Sequence, residues 1–334
     1  MAKKKQSQSG NWVSDFVSYL FQGRWQDAWR SYLYMGGKNT IEAQRLIAKA
    51  GDALDAEKYH QAITFCNQAM EVNPNSADAH NIRGWAYFKL EETDQAISDL
   101  HHAIDLNPDI ALFYNNLGWV YWSIERFDDA IKAYSNALEI QPFFEQALIN
   151  RMMTYNTLKQ YDKALADVDQ LVQMDSSHPH RHAKMGIYYY HLGDYQASLD
   201  AYAEALYFEA DFPEVLAARA ATYIKLEEYD RAIRDCDDAI ALNNKLMAAY
   251  NNRGYTKACL GQIDHALEDL NMAIELAPES NYPYESRGFA YLKAEEWELS
   301  KADFEKAVSL DASLLENEEV MAHIAEVNKQ LGIE

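Results

Sequence analysis

The residues that could do chemistry are few, and their spacing argues against most of it. His178, His180 and His182 form the run HPHRH, which brings three imidazoles within five residues. A zinc site needs three or four such ligands converging on one point. Here Pro179 intervenes, and His182 falls where a helix would place a packing residue, so a metal centre is not expected; a local pH-sensitive contact is the other use for such imidazoles. Carboxylates come in pairs at Glu91-Glu92, Asp128-Asp129, Glu227-Glu228 and Glu295-Glu296. A catalytic dyad needs two carboxylates facing one substrate. These pairs recur along the chain with one period and read as a solvated edge. No Gly-rich phosphate loop, HExxH, CxxC or nucleophile elbow occurs. Three cysteines, Cys66, Cys236 and Cys259, make no disulfide framework and suit a reducing compartment. The net charge of −22 over 334 residues would repel phosphates, so nucleic acid is not an expected partner; neutral or basic protein surfaces are. No cofactor is implied, and an enzyme is the least favoured class.

What repeats is the scaffold. The stretch from Ala77 to Ile110 recurs in phase: Gly84 becomes Gly118, Ala96 becomes Ala130, Ala103 becomes Ala137 and Pro108 becomes Pro142. Eight such units, this one included, run without insertion or deletion, at 43–76, 77–110, 111–144, 145–178, 179–212, 213–246, 247–280 and 281–314. Position 20 of the unit is Ala or Ser throughout. Position 8 is Gly or Ala in all but one unit, where Met152 stands. Apolar residues such as Tyr87, Leu90, Ile97, Leu100 and Ile104 recur at three or four, which predicts two amphipathic helices per unit. Position 7 is Arg at Arg83, Arg151, Arg219, Arg253 and Arg287, and in those same units position 23 is Asp: Asp99, Asp167, Asp235, Asp269 and Asp303. That covariation predicts an ion pair joining the two helices of a unit.

The flanks differ. Residues 1–8 read as a disordered basic tail, and Lys3, Lys4 and Lys5 read as solvated rather than lipid-bound. Residues 9–42, with Trp12, Phe16 and Trp25, read as a degenerate aromatic cap rather than a membrane-surface helix, since one end of a stack has a single neighbour. Residues 315–334, with Val320, Ile324, Val327 and Leu331 on one stripe, read as a closing helix beyond the end of the period. No signal peptide is evident, and no apolar run approaches the ~18 residues of a span, so a cytoplasmic protein is expected.

The 34-residue period, small residues at positions 8, 20 and 27, and proline near 32 resemble the tetratricopeptide repeat family. The resemblance implies an all-α, right-handed superhelical solenoid of helix-turn-helix repeats with a C-terminal capping helix. It also implies that the first helix of each unit lines a concave wall that binds a peptide. Carried onto this chain, the wall would hold Asn81, Trp85 and Phe88, then Asn115, Trp119 and Trp122, then Asn150, Tyr190, Asn251, Tyr255 and Phe289. Exposed tryptophans anchor interfaces, and asparagines can clamp an extended backbone through paired amide donors and acceptors. The family's clamp for chaperone C-termini is broken, because Asn81 and Trp85 stand where it needs Lys and Asn, although Asn116, Asn150 and Lys184 partly match. The chain therefore reads as a non-enzymatic scaffold or adaptor for a partner segment in the concave groove, with basic flanks on that partner expected from the charge. An acidic inhibitor or immunity-type protein masking a basic surface, or an accessory subunit of an enzyme complex, are the alternatives.

Overall fold

The structure is a computed structural model describing residues 38–333, with side chains from residue 41. The basic tail 1–8 and the aromatic cap up to residue 37 lie outside the described residues. The chain forms two compact units, one up to Leu158 and one from Lys159. The first contains α1 (Lys38–Asp55), α2 (Tyr59–Val72), α3 (Ala77–Lys89), α4 (Thr93–Leu106), α5 (Ala111–Ser123), α6 (Phe127–Ile140) and α7 (Glu145–Thr157). The second contains α8 (Tyr161–Met174), α9 (Pro179–Leu192), α10 (Tyr195–Phe208), α11 (Pro213–Lys225), α12 (Tyr229–Leu242) and α13 (Met247–Cys259). It continues through α14 (Ile263–Leu276), α15 (Asn281–Lys293), α16 (Trp297–Leu310), a 3-10 turn (Ala312–Glu316) and α17 (Glu318–Leu331). Within each unit the helices pair in antiparallel hairpins, and each hairpin packs on the next. No strand occurs among the described residues.

Each hairpin is closed by the same C-terminal motif. After α3, the Glu91 N–H donates to the Phe88 carbonyl at 3.0 Å and the Glu92 N–H to the Tyr87 carbonyl at 2.9 Å. These are the two bonds of a Schellman cap, whose first residue past the helix must be left-handed. Gly193 and Gly261 meet that demand with φ of 79° and 76°, but Glu57, Glu91, Glu125, Lys159, Glu227 and Glu295 hold φ near 60° with a full side chain. The recurring carboxylates at the turns thus include residues held in a strained cap, which the sequence pattern alone did not show.

The core is built on one contact between positions 8 and 24. A Cβ added to Gly118 would lie 2.6 Å from the Tyr134 ring, at Gly186 it would lie 2.5 Å from the Tyr202 ring, and at Gly254 it would lie 2.7 Å from Leu270 Cγ. Where position 8 is Ala instead, at Ala50 and Ala220, position 24 is the small Cys66 or Cys236, all fully buried. Helix approach is therefore held constant by trading volume across the hairpin, as close packing requires. Burial pushes the Cys66 thiol up to about 12, in keeping with a packing role. The two serines at position 20 are satisfied: Ser198 Oγ donates to the Gly186 carbonyl and Ser300 Oγ to the Gly288 carbonyl, both at 2.8 Å.

Four of the predicted Arg–Asp pairs are bidentate. Arg83 Nε and Nη2 reach Asp99 at 2.6 Å, and Arg219 reaches Asp235 at 2.7 and 2.9 Å. Arg253 with Asp269 and Arg287 with Asp303 repeat the geometry. The remaining guanidinium donor has a further use. Nη1 of Arg83 reaches Asn67, Arg253 reaches Asp237 and Arg287 reaches Asn271, so the arginine ties its own hairpin to the preceding one.

Two features mark the ends of the described residues. Helix α1 is already formed at Lys38, the first described residue, so it runs through residue 43 without a break. The closing helix α17 starts at Glu318 after the 3-10 turn and extends the ring stack, His323 packing on Phe289 as Phe289 packs on Tyr255. Asn317 caps it, accepting from the Glu319 and Val320 N–H groups, and Val320 and Val327 bury against Phe304 and Leu314.

Candidate protein-binding surfaces

In the first unit, α3 and α5 present the aromatic pairs. Trp85 and Phe88 sit one turn apart with ring centroids at 5.1 Å, and Trp119 and Trp122 stack at 5.4 Å with planes 28° apart. All four rings are half-buried. Phe88 and Trp122 lean partly on the core around Leu100, Leu117 and Tyr121, so part of each ring packs the fold. Lys89 lies over the Trp85 and Phe88 rings at 5.4 and 5.8 Å. Trp122 Nε1 is shielded from solvent and has no acceptor among the described residues. An orphaned indole donor is costly unless something supplies a carbonyl.

The asparagines are placed differently from the clamp expected of them. Asn116 Nδ2 donates to Asn81 Oδ1 at 2.9 Å, Asn150 Nδ2 donates to Asn115 Oδ1 at 3.0 Å, and Gln146 Nε2 donates to Asn150 Oδ1 at 2.9 Å. Asn81, Asn115 and Asn150 are buried. This ladder joins position 6 of one repeat to position 5 of the one before, so these amides stitch neighbouring hairpins together and are not open to a ligand. A spacing of 35 residues between the partners was available in the sequence as the signal.

In the second unit the expected residues divide. Phe289 is buried, packed between Tyr255 and His323 with centroids at 5.0 Å on each side, and so it is a core residue and not a groove contact. Tyr190, Asn251 and Tyr255 are half-buried. Tyr190 stands beside Tyr195 at 5.7 Å, and burial raises its pKa despite the nearby Lys225. The Tyr255 hydroxyl reaches Glu319 at 3.5 Å, and Lys225 Nζ lies 3.6 Å from the other oxygen of the same carboxylate. Burial and then Glu319 raise the pKa of Glu285. Lys225 and Glu319 were missed because one ends a helix and the other lies past the last regular repeat. Continuing the count of 34 would have found Glu319.

The histidines do not converge. His182 is buried, with Nε2 at 2.7 Å from the Ser176 carbonyl and its ring on Phe208, while His180 meets the Phe212 ring edge-on. Among the described residues no three potential metal ligands come together. No helix of the described residues is long and apolar enough to cross a membrane.

Family models described as tetratricopeptide repeat match residues 77–110, 111–144, 157–213 and 248–280. The chain belongs to the tetratricopeptide repeat family. Its fold is that of other solved tetratricopeptide repeat proteins. One from Parabacteroides merdae superposes with a TM-score of 0.63 at 21% identity, covering 76% of this chain and 98% of that one. The Cut9-Hcn1 hetero-tetramer of the APC/C superposes at 0.55 and 14% identity, covering 96% of this chain and 63% of that one. PilF of Pseudomonas aeruginosa superposes at 0.51 and 17% identity, covering 64% and 97%. No curated protein sequence matches. Tetratricopeptide repeats in general form a protein-interaction scaffold, and this chain is one.

Proposed function

We propose that the first unit binds an extended segment of a partner protein across the Trp85–Phe88 and Trp119–Trp122 rings. One observation carries the reading: Trp122 Nε1 is a buried donor without an acceptor, set among half-exposed aromatic rings. A backbone carbonyl of an extended segment would satisfy the donor, while apolar side chains cover the rings. Asparagines take no part, since their amides are already paired. Repeat arrays use such walls because each hairpin adds an equivalent surface at a fixed pitch.

The test begins with peptides selected on the intact protein from a displayed random library and titrated by tryptophan fluorescence. Trp85→Ala and Trp119→Ala are expected to weaken binding at least about tenfold each, the scale of an interface anchor, with the unfolding midpoint little changed. Peptides that bind those variants as well as the native protein would defeat the proposal. Strong salt dependence with Trp119→Ala harmless would instead favour an acidic face acting on a basic partner.

A further inference from the structure

The second unit holds a site of different chemistry. The Lys225 ammonium at the end of α11 faces Glu319, which is brought there by α17 from 94 residues further on. Burial works to lower the Lys225 pKa, but Glu319, Tyr190 and Tyr195 outweigh it and raise it. Tyr255 contributes its hydroxyl to the same carboxylate. Glu285 feels Glu319, Lys225 and Asp311 together. Asn251, one turn before Tyr255 and so on the same face of α13, carries an Oδ1 shielded from solvent with no donor among the described residues. The carboxylates here are Glu285, Glu319 and Asp311, against Lys225 and Lys293, and Lys293 is already over the Phe289 ring. Tyrosine rings, surplus carboxylate and an unmet acceptor make a setting for an N–H-rich cation.

We propose that this cluster is a receptor for the cationic side chain of a partner segment, Arg or Lys, and that Lys225 is its resident placeholder. Three features support the occupant. A cation of the chain itself is already seated there. Its link to Glu319 is loose, at 3.6 Å between side chains that are 43% and 55% exposed, and so easily exchanged. The net charge of the whole chain is −22, which draws basic segments. An arginine would serve better than Lys225, because its planar fork can bond a carboxylate in two places, donate to an amide oxygen and stack on tyrosine.

The experiment uses the full chain, isotope-labelled for NMR, with two probe peptides: blocked Gly-Arg-Gly and blocked Gly-Asp-Gly. The Arg peptide is expected to shift the Tyr190, Tyr255 and α17 resonances. The double change Glu285→Gln with Glu319→Gln should weaken it about tenfold or more. Lys225→Met should tighten it several-fold, because the competing ammonium is gone. Trp85→Ala and Trp119→Ala should leave it unchanged, which separates this site from the one in the first unit. Weaker binding by Lys225→Met, or a response to the Asp peptide in place of the Arg peptide, would mark an anion site and overturn the proposal. No response from either the native chain or Lys225→Met would overturn it equally. Lys225→Met alters a half-exposed residue outside the core, so this arm stands even if the double variant is poorly folded.

Discussion

Consider Gly254→Ala, a change that should reverse its sign with one neighbour. In the native chain the new Cβ would lie 2.7 Å from Leu270 Cγ and 3.0 Å from the Ala266 carbonyl oxygen, against ordinary contacts of 3.4–4 Å. Leu270 is fully buried, and Cγ is its branch point, so the side chain cannot simply swing aside. Overpacking of this kind costs roughly 1–3 kcal/mol. Alanine recovers about 1 kcal/mol through helix propensity, leaving a net loss of up to about 2 kcal/mol. Now replace Leu270 with Cys, which recreates the Ala220–Cys236 contact one repeat earlier. The clash with Leu270 is gone, and Gly254→Ala should stabilise by up to about 1 kcal/mol. The double-mutant cycle should therefore give a coupling of roughly 2 kcal/mol. Urea unfolding followed by far-ultraviolet dichroism measures it, with hydrogen exchange of α13 and α14 amides as a local check, since repeat arrays can unfold in parts. An equal effect of Gly254→Ala in both backgrounds would refute the volume-trading account of the core.

Other consequences can be checked the same way. Removing Arg219 alone should cost roughly 2–3 kcal/mol by stranding the buried Asp235 carboxylate, and a cycle with Asp235→Ala should show that most of this is coupling; chemical denaturation reads both. Glu91→Gly, at a left-handed cap, should stabilise by roughly 1 kcal/mol, and Glu227→Gly should do likewise, in a thermal melt. Burial would raise the Asp99 pKa, but its bonds to Arg83 and His80 outweigh this and hold the carboxyl below the usual carboxylate range. Its contribution is present at neutral pH and is lost as pH falls through the folded value, so Asp99→Asn should flatten the acid limb of the stability profile.

The closing helix changes what the last repeats are. Helix α17 serves both as a cover for Phe304 and as the source of Glu319 beside Lys225. Truncation before residue 318 would thus remove a core lid and a charged wall residue together, and loss of binding in such a variant would not distinguish the two. Point changes at Glu319 do.

Much of this protein is legible in its sequence. A 34-residue period with small residues at fixed positions determines paired helices, because only one register buries every apolar stripe at once. The covariation of Arg219 with Asp235 determined a pair that the structure makes with two bonds. Periodicity could not say how far each wall residue is exposed, since that depends on neighbours one or more repeats away. Asn115 and Phe289 occupy wall positions by count, yet cross-repeat packing buries both. Lys225 and Glu319 are unremarkable in sequence and meet only because the second unit brings α11 and α17 together. Local pattern chooses the helices; which polar groups are satisfied, and which remain free for a partner, is settled only when the hairpins stack.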